Sequence, residues 1–194
     1  QDIHFSQIDI NPILYNAAYS GFFDGTGRFG IAYRNQWASV STPFQTFAAT
    51  GELSLHRSRY HRTGYNLGVI AYGDRSGSLD YGITAGEVVR SFFKALNDGK
   101  TLFSIGVEGG LGQSGYNVAN AQFQEEGDDL AQFQVHFPTI GGGMALLLQP
   151  SDLCFVKIGL SAHNLNRPNI SYLSVSDTYL ERRFNVYSRA EYRA

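Results

Sequence analysis

The chain has 194 residues and a formal net charge of -2, from 15 Lys+Arg against 17 Asp+Glu. That length suits one domain with a sizeable core, and the near-neutral balance offers no basic field to attract nucleic acid. Charged residues make up 16% of the chain, below the ~25% usual for soluble domains, whereas Gly 22, Phe 14 and Tyr 12 are plentiful. Glycine-rich, aromatic-rich, charge-poor chains suit outer-membrane barrels, although a soluble β-sandwich can share such numbers.

Residues 1–27 alternate poorly and carry Asn11-Pro12, Gly21, Gly25 and Gly27. They read as an irregular N-terminal segment, either tucked into a lumen as a plug or leading in from the periplasm. From residue 28 to 194 the chain reads as β-barrel strands and loops, because apolar and small-or-polar residues trade places one by one. Phe29, Ile31 and Tyr33 oppose Arg28, Gly30, Ala32 and Arg34. After the Ser41-Thr42-Pro43 break, Phe47, Ala49, Leu53 and Leu55 oppose Thr50, Glu52 and Ser54. A basic connection over 56–63 carries His56, Arg57, Arg59, His61 and Arg62. Tyr65, Leu67, Val69 and Ala71 then oppose Asn66 and Gly68, ending at the turn signature Asp74-Arg75-Ser76-Gly77.

Tyr81, Ile83 and Ala85 begin the next strand, which continues less regularly through Val88-Val89 and Phe92-Phe93. Asn97-Asp98-Gly99-Lys100 predicts a tight hairpin turn, since Asp-Gly supplies positive φ values. The clearest stripe follows: Phe103, Ile105, Val107 and Leu111 share one phase, and Ser104, Gly106, Glu108, Gly110 and Gly112 the other. A long polar loop is expected over 115–136, including Glu125-Glu126-Gly127-Asp128-Asp129. Ile140, Met144, Leu146 and Leu148 resume the alternation, and Pro150-Ser151-Asp152 turns into a strand over 154–162. The lone Cys154 excludes an internal disulfide and a Cys-based zinc site; in phase with Val156 and Ile158, it reads as a buried or lipid-facing thiol. A second long loop spans 164–183, and Val186, Ala190 and Tyr192 finally oppose Tyr187, Arg189, Glu191 and Arg193.

The pattern therefore predicts an all-β fold: an antiparallel transmembrane β-barrel of the outer membrane with about eight strands, short turns alternating with longer loops. The longest apolar run, over 144–148, is far too short for a spanning helix. Glu108, Lys157, Arg189 and Glu191 lie within strands on the small-and-polar face, where a wet lumen solvates charges that a dry core would not. Gln1 in place of an initiator Met resembles a mature end left by signal-peptide removal. The pattern breaks off at Ala194 in mid-strand, and a closed barrel leaves no free edge, so the barrel is expected to be incomplete at the C-terminus.

Several blocks are more specific than barrel physics requires. Gln1-Asp2-Ile3-His4-Phe5-Ser6-Gln7, Asn11-Pro12, Asn16-Ala17-Ala18, Tyr33-Arg34-Asn35-Gln36-Trp37, Pro43-Phe44, Gly73-Asp74-Arg75-Ser76-Gly77, Gly109-Gly110-Leu111-Gly112-Gln113 and His163-Asn164-Leu165-Asn166-Arg167-Pro168-Asn169 occur in order. In this the chain resembles the PorP/SprF family of the type IX secretion and gliding machinery of Bacteroidota. Ala17 departs from the proline that the family often carries after Asn16, and members usually continue beyond this length with further strands. The resemblance implies an integral outer-membrane component that supports secretion or surface attachment of a cognate cargo such as an adhesin. It also implies partners: the periplasmic ring, a peptidoglycan-binding lipoprotein, the C-terminal signal domain of a secreted cargo, and outer-membrane lipid.

Candidate partner-binding residues are His4, Phe5, Ser6 and Gln7, together with Tyr33, Arg34, Asn35, Gln36 and Trp37. For the second group a docking or lumen-lining cluster competes with an interfacial girdle; for the first, a folded-back plug competes with simple tethering. The basic residues of 56–63 suit lipopolysaccharide phosphates or an acidic partner, or a solvated loop. The acidic run 125–129 lacks the ordered spacing of a calcium loop, so no metal and no cofactor are expected. Ser161 and His163 share one face, as a hydrolase pair would, but no orienting carboxylate is identifiable from sequence, and no enzyme is expected. Gly109-Gly110 and Gly141-Gly142-Gly143 lack the Lys-Ser/Thr of a phosphate loop and read as strand glycines that ease curvature. A passive outer-membrane channel or adhesin barrel unconnected to secretion is the alternative reading.

Overall fold

The computed structural model describes residues 10–23, 25–36, 44–58, 62–76, 81–115, 134–171 and 178–192. Eight strands form one antiparallel sheet in simple chain order: β1 (Gly27–Gln36), β2 (Phe44–Ser58), β3 (Thr63–Ser76), β4 (Tyr81–Leu96), β5 (Thr101–Gly115), β6 (Gln134–Ser151), β7 (Cys154–His163) and β8 (Arg183–Tyr192). The sheet curls into a half-barrel, consistent with an incomplete β-barrel, and β1 and β8 each have a single neighbour among the described residues. No α-helix occurs among them, only short 3-10 turns, and no helix is long and apolar enough to cross a membrane.

Curling separates the two phases of each strand into a concave and a convex face. On β5, Ser104, Gly106, Glu108, Gly112 and Ser114 are buried while Phe103, Ile105, Val107 and Leu111 stand exposed. The convex set recurs on every strand: Phe29 and Ile31, Phe47 and Leu53, Tyr65 and Val69, Val88, Ile140 and Met144, Ile158 and Leu160, Phe184 and Val186. An apolar surface of this extent requires a non-aqueous neighbour. Cys154 shares the phase of Ile158 and Leu160 and is half-buried.

Boundaries differ from the sequence reading at β2–β3, at β3–β4 and on β6, which begins at Gln134 inside the loop expected over 115–136 and takes in Pro150 and Ser151 of the expected turn. First, β2 runs to Ser58 and β3 begins at Thr63, so His56, Arg57 and Ser58 pair with Tyr65, Gly64 and Thr63. His56, Arg57 and Ser58 are therefore strand, because ladder hydrogen bonding overrides polarity where a hairpin extends past the apolar band. Second, Asp74, Arg75 and Ser76, expected in a turn, remain in β3, paired with Ile83, Gly82 and Tyr81. The strand expected from Tyr81 through Phe93 does form: β4 is one unbroken strand of 16 residues, irregular in hydropathy because Ile83, Ala85 and Val89 are buried on its concave face.

The connections consequently sort by end. Residues 59–62, 97–100 and 152–153 join strands at one end, and 37–43, 77–80, 116–133 and 164–182 at the other. At the short-turn end Asn97, Asp98 and Gly99 have φ of 49°, 56° and 92°, as the Asp-Gly signature requires. At the long-loop end, Ile170 and Leu180 fold back onto Ile83 and Phe137, held by an isolated bridge between Asn169 and Tyr179.

Candidate functional site

The concave face is occupied by the chain's own N-terminal segment. Pro12 opens a 3-10 turn at a position where its missing N–H costs nothing. Asn16 caps a second turn (Ala17–Tyr19), its Oδ1 accepting the Ala18 N–H at 2.9 Å. The path starts at β2, where Thr50 Oγ1 donates to Asn11 Oδ1 at 2.8 Å. Ile13, Leu14 and Ala17 then pack on Ala48, Ile70 and Val89 of β2, β3 and β4. Farther across, Asn16 Nδ2 donates to the carbonyls of Met144 (3.0 Å) and Leu160 (3.1 Å), on β6 and β7. Tyr19 reaches β8, its ring 5.9 Å from that of Tyr187, with Lys157 Nζ 3.9 Å from the Tyr19 ring centre.

The segment then returns. The Ser20 carbonyl accepts from Asn66 Nδ2 (3.1 Å) and Ser91 Oγ (2.9 Å). Gly21 N–H donates to Glu52 Oε2 at 3.1 Å, and Arg28 Nε holds the other oxygen of that carboxylate at 2.8 Å. The segment is therefore a strut, bonded to both flanks of the curled sheet. Glycines make room for it: a Cβ on Gly106 would lie 2.3 Å from the Ala17 carbonyl carbon, one on Gly143 2.3 Å from Asn16 Oδ1, and one on Gly159 2.1 Å from the Tyr19 hydroxyl. Gly143, expected only to ease curvature, is part of this bed.

The tightest polar cluster fastens the turn of the strut. Ser161 and His163 on β7 and Asn185 on β8 converge on one acceptor, the Tyr15 carbonyl: Ser161 Oγ donates at 2.5 Å, His163 Nε2 lies at 3.0 Å, and Asn185 Nδ2 donates at 3.1 Å. Arg183 donates to the Leu14 carbonyl at 3.3 Å. Behind His163, its Nδ1 meets Glu108 Oε1 of β5, and both side chains are buried. Sequence reasoning found Ser161 and His163 but missed Glu108 as their third member. Its only sequence signal was a carboxylate in the wet phase of β5.

Ser161, His163 and Glu108 thus stand in the order of a hydrolytic triad, with Ser161 Oγ 3.3 Å from His163 Nε2. The Tyr15 carbonyl changes what this order can do. Its lone pairs face Nε2, so Nε2 carries a proton and donates it; Nδ1 is left to donate to, or accept from, Glu108. Neither arrangement leaves Nε2 as a base for Ser161, whose own proton also points to Tyr15. The cluster is a latch on the strut.

The other singled-out residues are dispersed. Tyr33 and Asn35 lie on the convex phase of β1, and Arg34 and Gln36 on the concave phase. The block 33–36 therefore forms no single cluster, and Tyr33 faces Phe47 across the strands. Trp37, His4, Phe5, Ser6, Gln7 and the acidic run 125–129 lie outside the described residues. Glu108, Lys157, Arg189 and Glu191 share the concave phase but at two levels. Glu108 is level with His163, whereas Arg189 pairs with Glu191 at 2.7 Å near the short-turn end. Of the basic connection, Arg62 pairs with Asp98 at 3.0 Å, joining two short turns. Among the described residues no group of three His, Cys, Asp or Glu is placed to hold a metal.

A family model described as type IX secretion system membrane protein PorP/SprF matches residues 1–193. No curated protein and no solved structure matches the chain.

Proposed function

We propose a scaffolding role for this chain, which belongs to the PorP/SprF family of type IX secretion system membrane proteins. In this reading it is an outer-membrane component of a Gram-negative, Bacteroidota-type cell that supports secretion or surface attachment of a cognate cargo such as a gliding adhesin. Its long-loop end faces outward and its short-turn end the periplasm, the usual arrangement for such barrels. The outer end recognises the cargo's C-terminal signal domain. The periplasmic end couples to the ring of the machine through a peptidoglycan-binding lipoprotein, and lipid surrounds the convex face.

The observation that carries the reading is the strut. A segment bonded to β2 on one flank and to β7 and β8 on the other obstructs the concave space, which supports a fixed platform over a wide passage. The latch supports the absence of catalysis, because His163 Nε2 is committed to the Tyr15 carbonyl. Affinity purification of the full protein from native membranes tests the role: ring subunits and a secreted signal domain should accompany it. A lone barrel that conducts ions would favour a passive channel, and lipid hydrolysis abolished by His163→Ala would favour an enzyme.

A further inference from the structure

The convex face is apolar, yet it carries charge of one sign. Arg75 on β3 and Arg90 and Lys94 on β4 project from it. Val89 is fully buried on the concave side, and its neighbours Val88 and Arg90 are exposed on the other. The carboxylates of the strands, Glu52, Asp74, Glu87, Glu108 and Glu191, all lie on the concave phase. Among the described residues no ion pair holds Arg90 or Lys94. Arg90 stands between Leu67 and Val107, and Lys94 between Thr63 and Phe103. Between the two cations lies Phe92, its ring 5.0 Å from that of Tyr65.

Hydrocarbon does not solvate a guanidinium or an ammonium. A long cationic side chain on a lipid face is satisfied by reaching the headgroup layer, where phosphate supplies anions; a carboxylate placed there finds no such partner. That asymmetry accounts for a face with cations and no acids. The spacing agrees: at ~3.3 Å per residue, β3 runs roughly 26 Å from Leu67, level with Arg90, to Arg75. Across a wall tilted by ~40° this is roughly 20 Å, close to the ~25 Å apolar band of such barrels. The cations therefore stand at two levels, one for each headgroup layer.

We propose that Arg90 and Lys94, with the Tyr65 hydroxyl and the Phe92 ring between them, form a seat for the phosphate of a glycerophospholipid in the leaflet at the short-turn end. The Arg90 fork takes two phosphate oxygens, Lys94 extends toward the same layer from nearer the strand end, and the acyl chains lie over Leu67 and Val107. The inference rests on the reading of the convex face as lipid-facing.

The test is native mass spectrometry of the full protein ejected from nanodiscs that contain phosphatidylglycerol or, as a phosphate-free probe, diacylglycerol. The wild type should retain phosphatidylglycerol and not diacylglycerol, and Arg90→Gln/Lys94→Gln should lower that retention by about tenfold. Arg75→Gln, on the opposite level, should leave the short-turn seat intact, and both variants should keep the wild-type β-sheet spectrum. Equal retention by the double variant would overturn the seat while leaving the barrel in place, as would a photo-crosslinker at residue 90 that captures an acidic protein instead of lipid. Failure of the wild type to enter a nanodisc at all would overturn the lipid-facing reading, and the seat with it.

Discussion

Val107 and Glu108 are neighbours on β5, yet Val107 is 64% exposed on the convex face and Glu108 6% exposed beneath the strut. The same contrast repeats along the sheet. Convex residues are mostly apolar, and among the described residues no layer packs on the exposed ones. Concave residues are mostly small or polar, and many of them contact one segment of the same chain. The comparison teaches where specificity is stored. In the proposed reading lipid covers the convex face and conforms to whatever shape it meets, so that face needs only the right polarity. The strut does not conform, so the concave face needs particular atoms: Gly106 under Ala17, Asn66 at the Ser20 carbonyl, His163 at the Tyr15 carbonyl.

Substitutions on the two faces should therefore behave by different rules. The largest effect is expected at the latch. Glu108→Leu strands buried His163 without its partner and should cost about 3–5 kcal/mol, read as a fall in the denaturant midpoint in liposomes. Glu108→Leu/His163→Leu should recover much of that loss, because neither side chain is then left buried without its partner; a double variant as weak as the sum of its parts would argue against a coupled pair. Next comes a charge on the lipid side: Leu111→Lys, midway between the levels of Arg90 and Arg75, should cost about 2–4 kcal/mol.

A smaller loss is expected at Asn16→Ala, which removes the hydrogen bonds to Met144, Leu160 and Ala18. About 1–3 kcal/mol should go, together with faster amide exchange over 11–21. The least effect belongs to shape changes on the convex face. Val107→Leu should stay within about 0.5 kcal/mol, whereas a loss comparable to that of Asn16→Ala would mean that a protein layer, not lipid, covers that face.

The strands were legible wherever one phase was apolar and the other small or polar, as over 103–112. Legibility of the two phases was weaker on β4, read as a strand but an irregular one, because Ile13, Leu14 and Ala17 of the strut give Val89 an apolar partner and so place greasy residues on both faces. It failed at 56–58 and 74–76 because polar residues continue the ladder past the apolar band, where composition no longer distinguishes strand from loop. The strand-free character of 10–23 was visible in its poor alternation. Its path was not, since the groups that hold it are mostly backbone carbonyls, which no residue type advertises. Ser161 and His163 were readable as a pair two residues apart. Their dependence on Glu108, 55 residues away, exists only through the register of β5, β6 and β7.

The central claim is that lipid meets one phase of each strand while the other closes on the strut. Spin labels placed one at a time along 102–112, in protein with Cys154→Ser reconstituted in liposomes, test it most directly through their relative accessibility to oxygen and to a polar nickel complex. The account predicts a period of two, with oxygen dominant at 103, 105, 107 and 111 and little access to either reagent at 104; Gly106 and Glu108, where a label would displace Ala17 or break the latch, stay unlabelled. A flat profile, or nickel access at the positions of Phe103, Ile105, Val107 and Leu111, would contradict it.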